Sequence, residues 1–236
     1  MPGAPMSLSR QEASSRHQIT FATARTLAYV SVLELGTIWE RTMRRAHIPL
    51  KYSQGYNPRP RMHFAAPLPV GCGSEADLLD VSLEEPLTSE AVRDMLVGVT
   101  PPDLSVVDVV AVDEQAPSLS DRLQEAQYRV WLQGLEAGTL ETAVATLLEA
   151  TSLPLPKRGR RHRGKTYDLR SLILALALDP ETPAPWVGLH MRLNARPGAT
   201  GRPDEVLKAL GFADNPRRCI RTALILEPLA EPNAEA

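Results

Sequence analysis

Two periods govern where apolar residues fall in this chain. Residues 17–23 alternate loosely, with Ile19 and Phe21 on one side, as in a strand with one covered face. Residues 29–47 switch to helical spacing. Val32, Leu35, Ile38, Trp39, Thr42, Met43 and Ala46 make a buried stripe, and Arg41, Arg44 and Arg45 fall on another face, turned to solvent. Pro49 stops that helix. The stretch 53–60 (Ser-Gln-Gly-Tyr-Asn-Pro-Arg-Pro) suits neither helix nor strand and predicts a loop. Strands follow at 62–66 and 78–83. A helix capped by Thr88 or Ser89 comes next, and the β-branched run Leu104–Val112 closes the series.

The second half repeats this order. A strand is predicted at 127–134, a helix at 139–151, strands at 169–178 and 187–193, a helix from Pro203 to a terminating Gly211, and a last strand at 220–226. The segment 153–157 is a poor strand because two prolines interrupt it. A β-α-β-β-α-β order met twice predicts an α+β fold of tandem ferredoxin-like lobes. The expected divisions are a disordered lead-in at 1–16, a first lobe at 17–112, a linker at 113–122, a second lobe at 123–227 and a disordered tail at 228–236.

Composition adds that the core is aliphatic, since aromatics are only 5% of the residues. No apolar run approaches the ~18 residues that span a bilayer, and the lead-in lacks an apolar signal core, so a cytoplasmic protein without membrane association is expected. Cys72 and Cys219 are too few for a disulfide framework and fit a reducing compartment. The net charge of −2 hides a strong segregation. Residues 41–63 carry six basic side chains and no acid, residues 74–114 carry eleven acids against Arg93, and residues 157–170 carry seven basic side chains against Asp168.

The segment 27–83 resembles a known family along most of its length. Tyr29-Val30-Ser31, Trp39-Glu40-Arg41-Thr42-Met43-Arg44-Arg45-Ala46 and Pro49-Leu50-Lys51-Tyr52-Ser53-Gln54-Gly55-Tyr56-Asn57-Pro58-Arg59-Pro60 carry it. So do Phe64-Ala65-Ala66-Pro67-Leu68-Pro69-Val70-Gly71 and Ser74-Glu75. Lys165-Thr166-Tyr167-Asp168-Leu169-Arg170, Arg202-Pro203-Asp204-Glu205 and Ile220-Arg221-Thr222 extend it more weakly. These motifs are similar to those of the radical-SAM-linked proteins, a domain of unknown function found beside or fused to cobalamin-binding radical S-adenosylmethionine enzymes. The resemblance implies a radical-SAM enzyme as partner and, through the frequent company of RNA-processing and ribosomal genes, an association with RNA. Where that family usually has His-Leu-Asp, this chain has Val32-Leu33-Glu34, which favours a structural or binding role.

The chain is not itself the radical enzyme, because such an enzyme holds its cluster with three closely spaced cysteines. No His or Cys pair has zinc-ligand spacing, and no phosphate-binding glycine loop follows a strand, so no metal and no cofactor are expected. Cys72 lies between glycines ahead of an acidic stretch, which opposes thiolate formation and makes it a small turn residue.

The basic loop carries the functional reading. Gly55 permits close approach, Pro58 and Pro60 stiffen the chain, and Lys51, Arg59 and Arg61 are expected beside the arginine face of the helix. Tyr52 and Tyr56 offer flat surfaces for base stacking, with Ser53, Gln54 and Asn57 between them. A second patch, with Arg158, Arg160, Arg161, Arg163 and Lys165, holds no apolar residue and attracts phosphates. The leading expectation is a non-catalytic accessory protein that binds structured RNA (tRNA or ribosomal RNA) and works with a radical-SAM modification enzyme. One alternative is a protein–protein subunit of that enzyme without RNA binding. Another, by fold-level likeness to CRISPR repeat-processing nucleases, is a metal-independent endoribonuclease with His47 or His63 as base.

Overall fold

In the computed structural model, which describes residues 14–157 and 164–229, the loose alternation after residue 16 becomes β1 (Ser15–Thr23). His17, Ile19, Phe21 and Thr23 are buried on one face of that strand. The apolar stripe of α1 (Val32–Arg45) covers this face through Leu35, Trp39 and Met43, and the Trp39 ring meets Phe21 edge-on at 5.1 Å. The start of α1 gives Glu34 a structural role. Ser31 and Glu34 form a reciprocal capping box, in which Glu34 accepts from the Ser31 N–H at 2.7 Å and the Ser31 hydroxyl accepts from the Glu34 N–H at 3.3 Å.

The remaining elements of the first half are β2 (Met62–Phe64), β3 (Cys72–Leu83), α2 (Ser89–Leu96) and β4 (Leu104–Val112). After the short α3 (Leu119–Arg122) come β5 (Leu123–Leu132), α4 (Ala137–Glu149), β6 (Pro154–Pro156) and β7 (Thr166–Asp168). Then follow β8 (Ile173–Asp179), β9 (Val187–Arg196), β10 (Ala199–Thr200), α5 (Pro203–Ala209) and β11 (Arg217–Leu226). The fold is thus mixed α+β, built on one nine-stranded and mostly antiparallel sheet with the path β10-β9-β5-β11-β3-β1-β4. Strand β2 pairs with β3, and β8 with β9. Strands β6 and β7 pair with each other outside this sheet, so the two prolines of β6 cost the main ladder nothing.

The sheet runs without a break from the first half to the second, because β3 and β11 pair in parallel over Cys72–Ser74 and Cys219–Arg221. One apolar core lies in the first half around Ile19, Trp39 and Leu79. The other, around Val130, Leu140 and Leu189, reaches back to Ala65, Cys72 and Leu78. At the crossing point Gly73 has no side chain for a steric reason: a Cβ there would sit 2.9 Å from the Thr23 carbonyl oxygen.

This junction corrects the reading of the cysteines as unlinked. The register sets Cys72 opposite Cys219, their Cα atoms are 4.6 Å apart, and a disulfide joins them. A separation of 147 residues hid the pair, because only the tertiary fold brings β11 beside β3. The bond closes a long loop, so reduction is expected to lower the unfolding free energy by about 2–4 kcal/mol, read as a lower guanidinium midpoint in dithiothreitol. Thiol titration of the denatured, unreduced protein is expected to find none, and two reactive thiols would contradict the bond.

His17 gives the fold a pH dependence. The side chain is buried, Nε2 lies 3.2 Å from the Ser15 hydroxyl, and Nδ1 has no hydrogen-bond partner among the described residues. Burial lowers its pKa, against a smaller opposing contribution from the Leu87 backbone. The unfolded chain therefore takes up this proton more readily than the folded one. The contribution is present above the ordinary histidine value of about 6.5 and is lost as pH falls towards the folded-state value. Urea midpoints at about pH 7 and pH 5 should differ less for His17→Gln than for the wild type, and an equal difference would remove His17 as the cause.

Candidate nucleic-acid interface

Residues 50–61 fold back on themselves into a hairpin that leaves the sheet beside β3. Leu50 bridges to Leu83 and Tyr52 to Pro60. The Ser53 N–H donates to Arg59 O at 2.8 Å, and the Arg61 N–H donates to Lys51 O at 2.8 Å. At the turn the Ser53 hydroxyl accepts from the Arg59 N–H at 3.0 Å. Gly55 has a φ of +147° in open space, a conformation that a side chain would strain. Gln54, Gly55, Tyr56, Asn57 and Pro58 all project into solvent, and Tyr56 is 100% exposed.

The hairpin sorts its predicted contact residues. Tyr56 stands free at the tip, but Tyr52 packs against the first core, which corrects its assignment as a second stacking surface. Lys51 is half-buried, and its Nζ donates to the Ser14 hydroxyl at 2.9 Å. Arg59 and Arg61 are exposed and, among the described residues, form no ion pair. Nearby Asp80 is already paired with Arg16.

The helix arginines differ in their engagement. Arg41 is exposed on α1, and Arg44 pairs with Glu40 at 2.7 Å. Arg45 donates to Val99 O at 3.2 Å. His47 has a φ of +55° and ends α1 in a turn closed by Ile48 N–H to Met43 O at 3.1 Å, while His63 is exposed on β2 opposite Asp80. Of the second patch, Lys165 is exposed at the mouth of the β6–β7 hairpin, where its carbonyl accepts from the Lys157 N–H at 2.8 Å. Arg158, Arg160, Arg161 and Arg163 lie outside the described residues.

A second polar centre lies at the junction of the halves. One edge of β3 pairs with β11 at residues 72–74 and with β2 at 79–81, and in the gap between them Asp77 meets Arg221. Arg221 Nε donates to Asp77 Oδ1 at 2.7 Å, and its terminal nitrogens donate to Pro67 O at 3.2 Å and Ala66 O at 3.1 Å. The Ser74 hydroxyl adds a bond to Asp77 Oδ1 at 2.6 Å. The two charged side chains are 1% and 4% exposed. Burial is the largest single influence on Arg221 and opposes its charge, but Asp77 and Tyr128 together outweigh it, and the Arg221 pKa is raised. Tyr128, bonded to the same guanidinium, has its pKa raised by burial, with Arg221 opposing. This clasp floors a cleft of about 620 Å³, walled by the 65–70 loop and Leu123 and rimmed by Arg202 and Arg217.

The sequence matches, over residues 16–203, the family described as "Uncharacterized protein conserved in bacteria (DUF2344)". The chain belongs to that family. The DUF2344 match takes in the hairpin, Asp77 and Tyr128, and it stops before Arg217 and Arg221. None of the curated proteins matches the chain. Among solved structures, the chain is similar to one in the archaeal box H/ACA sRNP Nop10–Cbf5 complex, at 12% identity and a TM-score of 0.44. That match covers 92% of this chain and 49% of the archaeal one, so this chain spans about half its length. A variant of Rhodococcus jostii RHA1 DypB in complex with heme matches at 11% identity and a TM-score of 0.21, over 88% of this chain and 86% of that one. Both TM-scores are too low for a shared fold. No helix among the described residues of this DUF2344 member is long and apolar enough to cross a membrane.

Sequence reading missed the clasp and the cleft. Their trace in the sequence is a charge inside an apolar strand run: Asp77 and Asp80 among the leucines of β3, and Arg221 in β11. Such a charge is buried only with a partner. Parts of the quoted motifs, Ala66-Pro67, Ser74 and Arg221, thereby find a structural role as members of one clasp.

Proposed function

We propose that this DUF2344 member is a non-catalytic accessory protein that binds structured RNA, a tRNA or a ribosomal RNA, and that it works with a radical-SAM modification enzyme. The observation that carries the RNA reading is the hairpin, with a fully exposed tyrosine at its tip and two exposed arginines on its returning arm that form no ion pair among the described residues. An aromatic face and phosphate-seeking cations on one projection suit an unpaired, splayed loop of a folded RNA. The enzyme partner rests on the motif resemblance. We further read each half as a ferredoxin-like unit, on the strength of the orders β4-β1-β3-β2 and β11-β5-β9-β8.

The alternative of a protein subunit without RNA binding uses the same surface and is separated by experiment. Binding of total cellular RNA by the wild type and by Arg59→Ala/Arg61→Ala tests the proposal. Loss of a pulled-down radical-SAM partner, with RNA binding negligible in both proteins, would favour the subunit.

A further inference from the structure

The hairpin is one end of a longer concavity. The hollow that holds Ser53, Arg59 and Arg61 also takes in Met62, His63 and Ser118. These three line the next hollow, together with Pro67 and Ser120. Pro67 and Ser120 in turn line the junction cleft with Tyr128, Arg202 and Arg217. Thr200 and Arg202 pass from that cleft into a fourth hollow with Tyr167 and Lys157, at the mouth of the β6–β7 hairpin. Because each hollow shares residues with the next, the hairpin arginines and Lys157 stand at the two ends of one run of hollows.

The groove has the chemistry of a polyanion path. Exposed cations recur along it at Arg59 and Arg61, then Arg202 and Arg217, then Lys157. Its acids are largely engaged or covered. Asp80 pairs with Arg16, Glu114 accepts from the Ser14 hydroxyl, and Asp168 accepts the Leu153 and Arg170 N–H groups at 2.7 and 3.0 Å. Beside Arg202, Asp204 is half-buried and Glu205 is buried. Between the cations the wall is apolar, with Phe64 and Leu68 half-buried and Pro67 and Val70 exposed, offering a surface against which bases can lie. Alternating phosphate contacts and flat or apolar surfaces are what a single strand requires, whereas a duplex is wider and keeps its base faces stacked inside.

We propose that a single-stranded RNA segment lies along this groove, from the hairpin of Arg59 and Arg61 through the junction cleft to the β6–β7 hairpin, with a backbone phosphate held by Arg202 and Arg217. This path rests on the RNA-binding reading given above and specifies its ligand as an unpaired stretch rather than a helix. The clasp acts here as a positioning device. Arg221 fixes the 66–67 carbonyls and thereby the cleft wall, without needing to reach the ligand.

Fluorescence anisotropy with single-stranded oligouridylates of about 4 and about 16 nucleotides tests the path. The proteins compared are the wild type, Arg202→Ala/Arg217→Ala and Arg59→Ala/Arg61→Ala, each shown by thermal melting to be folded. The wild type should bind the longer RNA more tightly. Arg202→Ala/Arg217→Ala should weaken that binding about tenfold and flatten its logarithmic salt slope by about 1.4 units, leaving the short RNA little affected. If this variant binds the longer RNA as the wild type does while the hairpin variant is weakened, the groove proposal falls and the hairpin reading stands. If only the junction variant is weakened, the hairpin reading falls and the path no longer begins there. Equal, negligible binding by all three proteins overturns both.

Discussion

Replacing Asp77 by alanine is expected to lower the unfolding free energy by about 3–5 kcal/mol, the cost of leaving a buried charge without its partner. Arg221 cannot escape by releasing its proton, since a guanidinium stays charged at any ordinary pH. With 1% of its side chain exposed, water does not reach it without opening the junction. Ser74 also loses its acceptor at 2.6 Å. Against a typical total of about 5–15 kcal/mol, this is a large share, and urea unfolding followed by circular dichroism reads it directly. Arg221→Met should be comparably destabilising, because it strands the Asp77 carboxylate and the carbonyls of Ala66 and Pro67. The Asp77→Leu/Arg221→Met double variant should recover part of the loss, since it removes both charges. A cost below about 1 kcal/mol for Asp77→Ala, the range of exposed ion pairs, would show that the clasp is open to solvent.

The elements that were legible are those whose apolar pattern stands alone. The stripe of α1 and the β-branched run of β4 were found nearly to the residue, as was the Pro203 start of α5. Strand β3 was half seen. Its predicted start at 78 is really Cys72, because Ser74 and Asp77 are buried polar residues that break the alternation. The same polarity is what joins the halves, so the pairing of β3 with β11 was hidden by the residues that stabilise it. Tyr52 and Tyr56 looked equivalent in the loop. The bridge from Tyr52 to Pro60 turns one towards the core and leaves the other at the tip, and no local pattern distinguishes them. The helix arginines look alike in the sequence, yet Arg44 is paired with Glu40 and Arg45 is bonded to Val99 O, which only the fold reveals.

The second large effect concerns the hairpin tip. Tyr56→Ala should weaken binding of single-stranded RNA by about 1–3 kcal/mol, the worth of one stacked base, or roughly 5- to 150-fold. It should leave the salt dependence unchanged, because stacking releases no counterions. The side chain is fully exposed and supports nothing in the fold, so its removal should not alter the melting temperature. Tyr52→Ala should do the reverse, lowering the melting temperature because that ring packs against the first core. A loss of stability on changing Tyr56, or unchanged RNA affinity, would remove it as a contact.

The charges beside it provide the most direct test of RNA recognition by the hairpin. Affinity of the wild type and of Arg59→Ala/Arg61→Ala for the oligouridylate of about 16 nucleotides should be measured at about 50 and about 200 mM salt. Two lost phosphate contacts on a single strand reduce the logarithmic salt slope by about 1.4 units, so the wild type should lose about sevenfold more affinity than the variant across that interval. Parallel slopes, or binding too weak to measure in both proteins, would contradict RNA recognition by this hairpin.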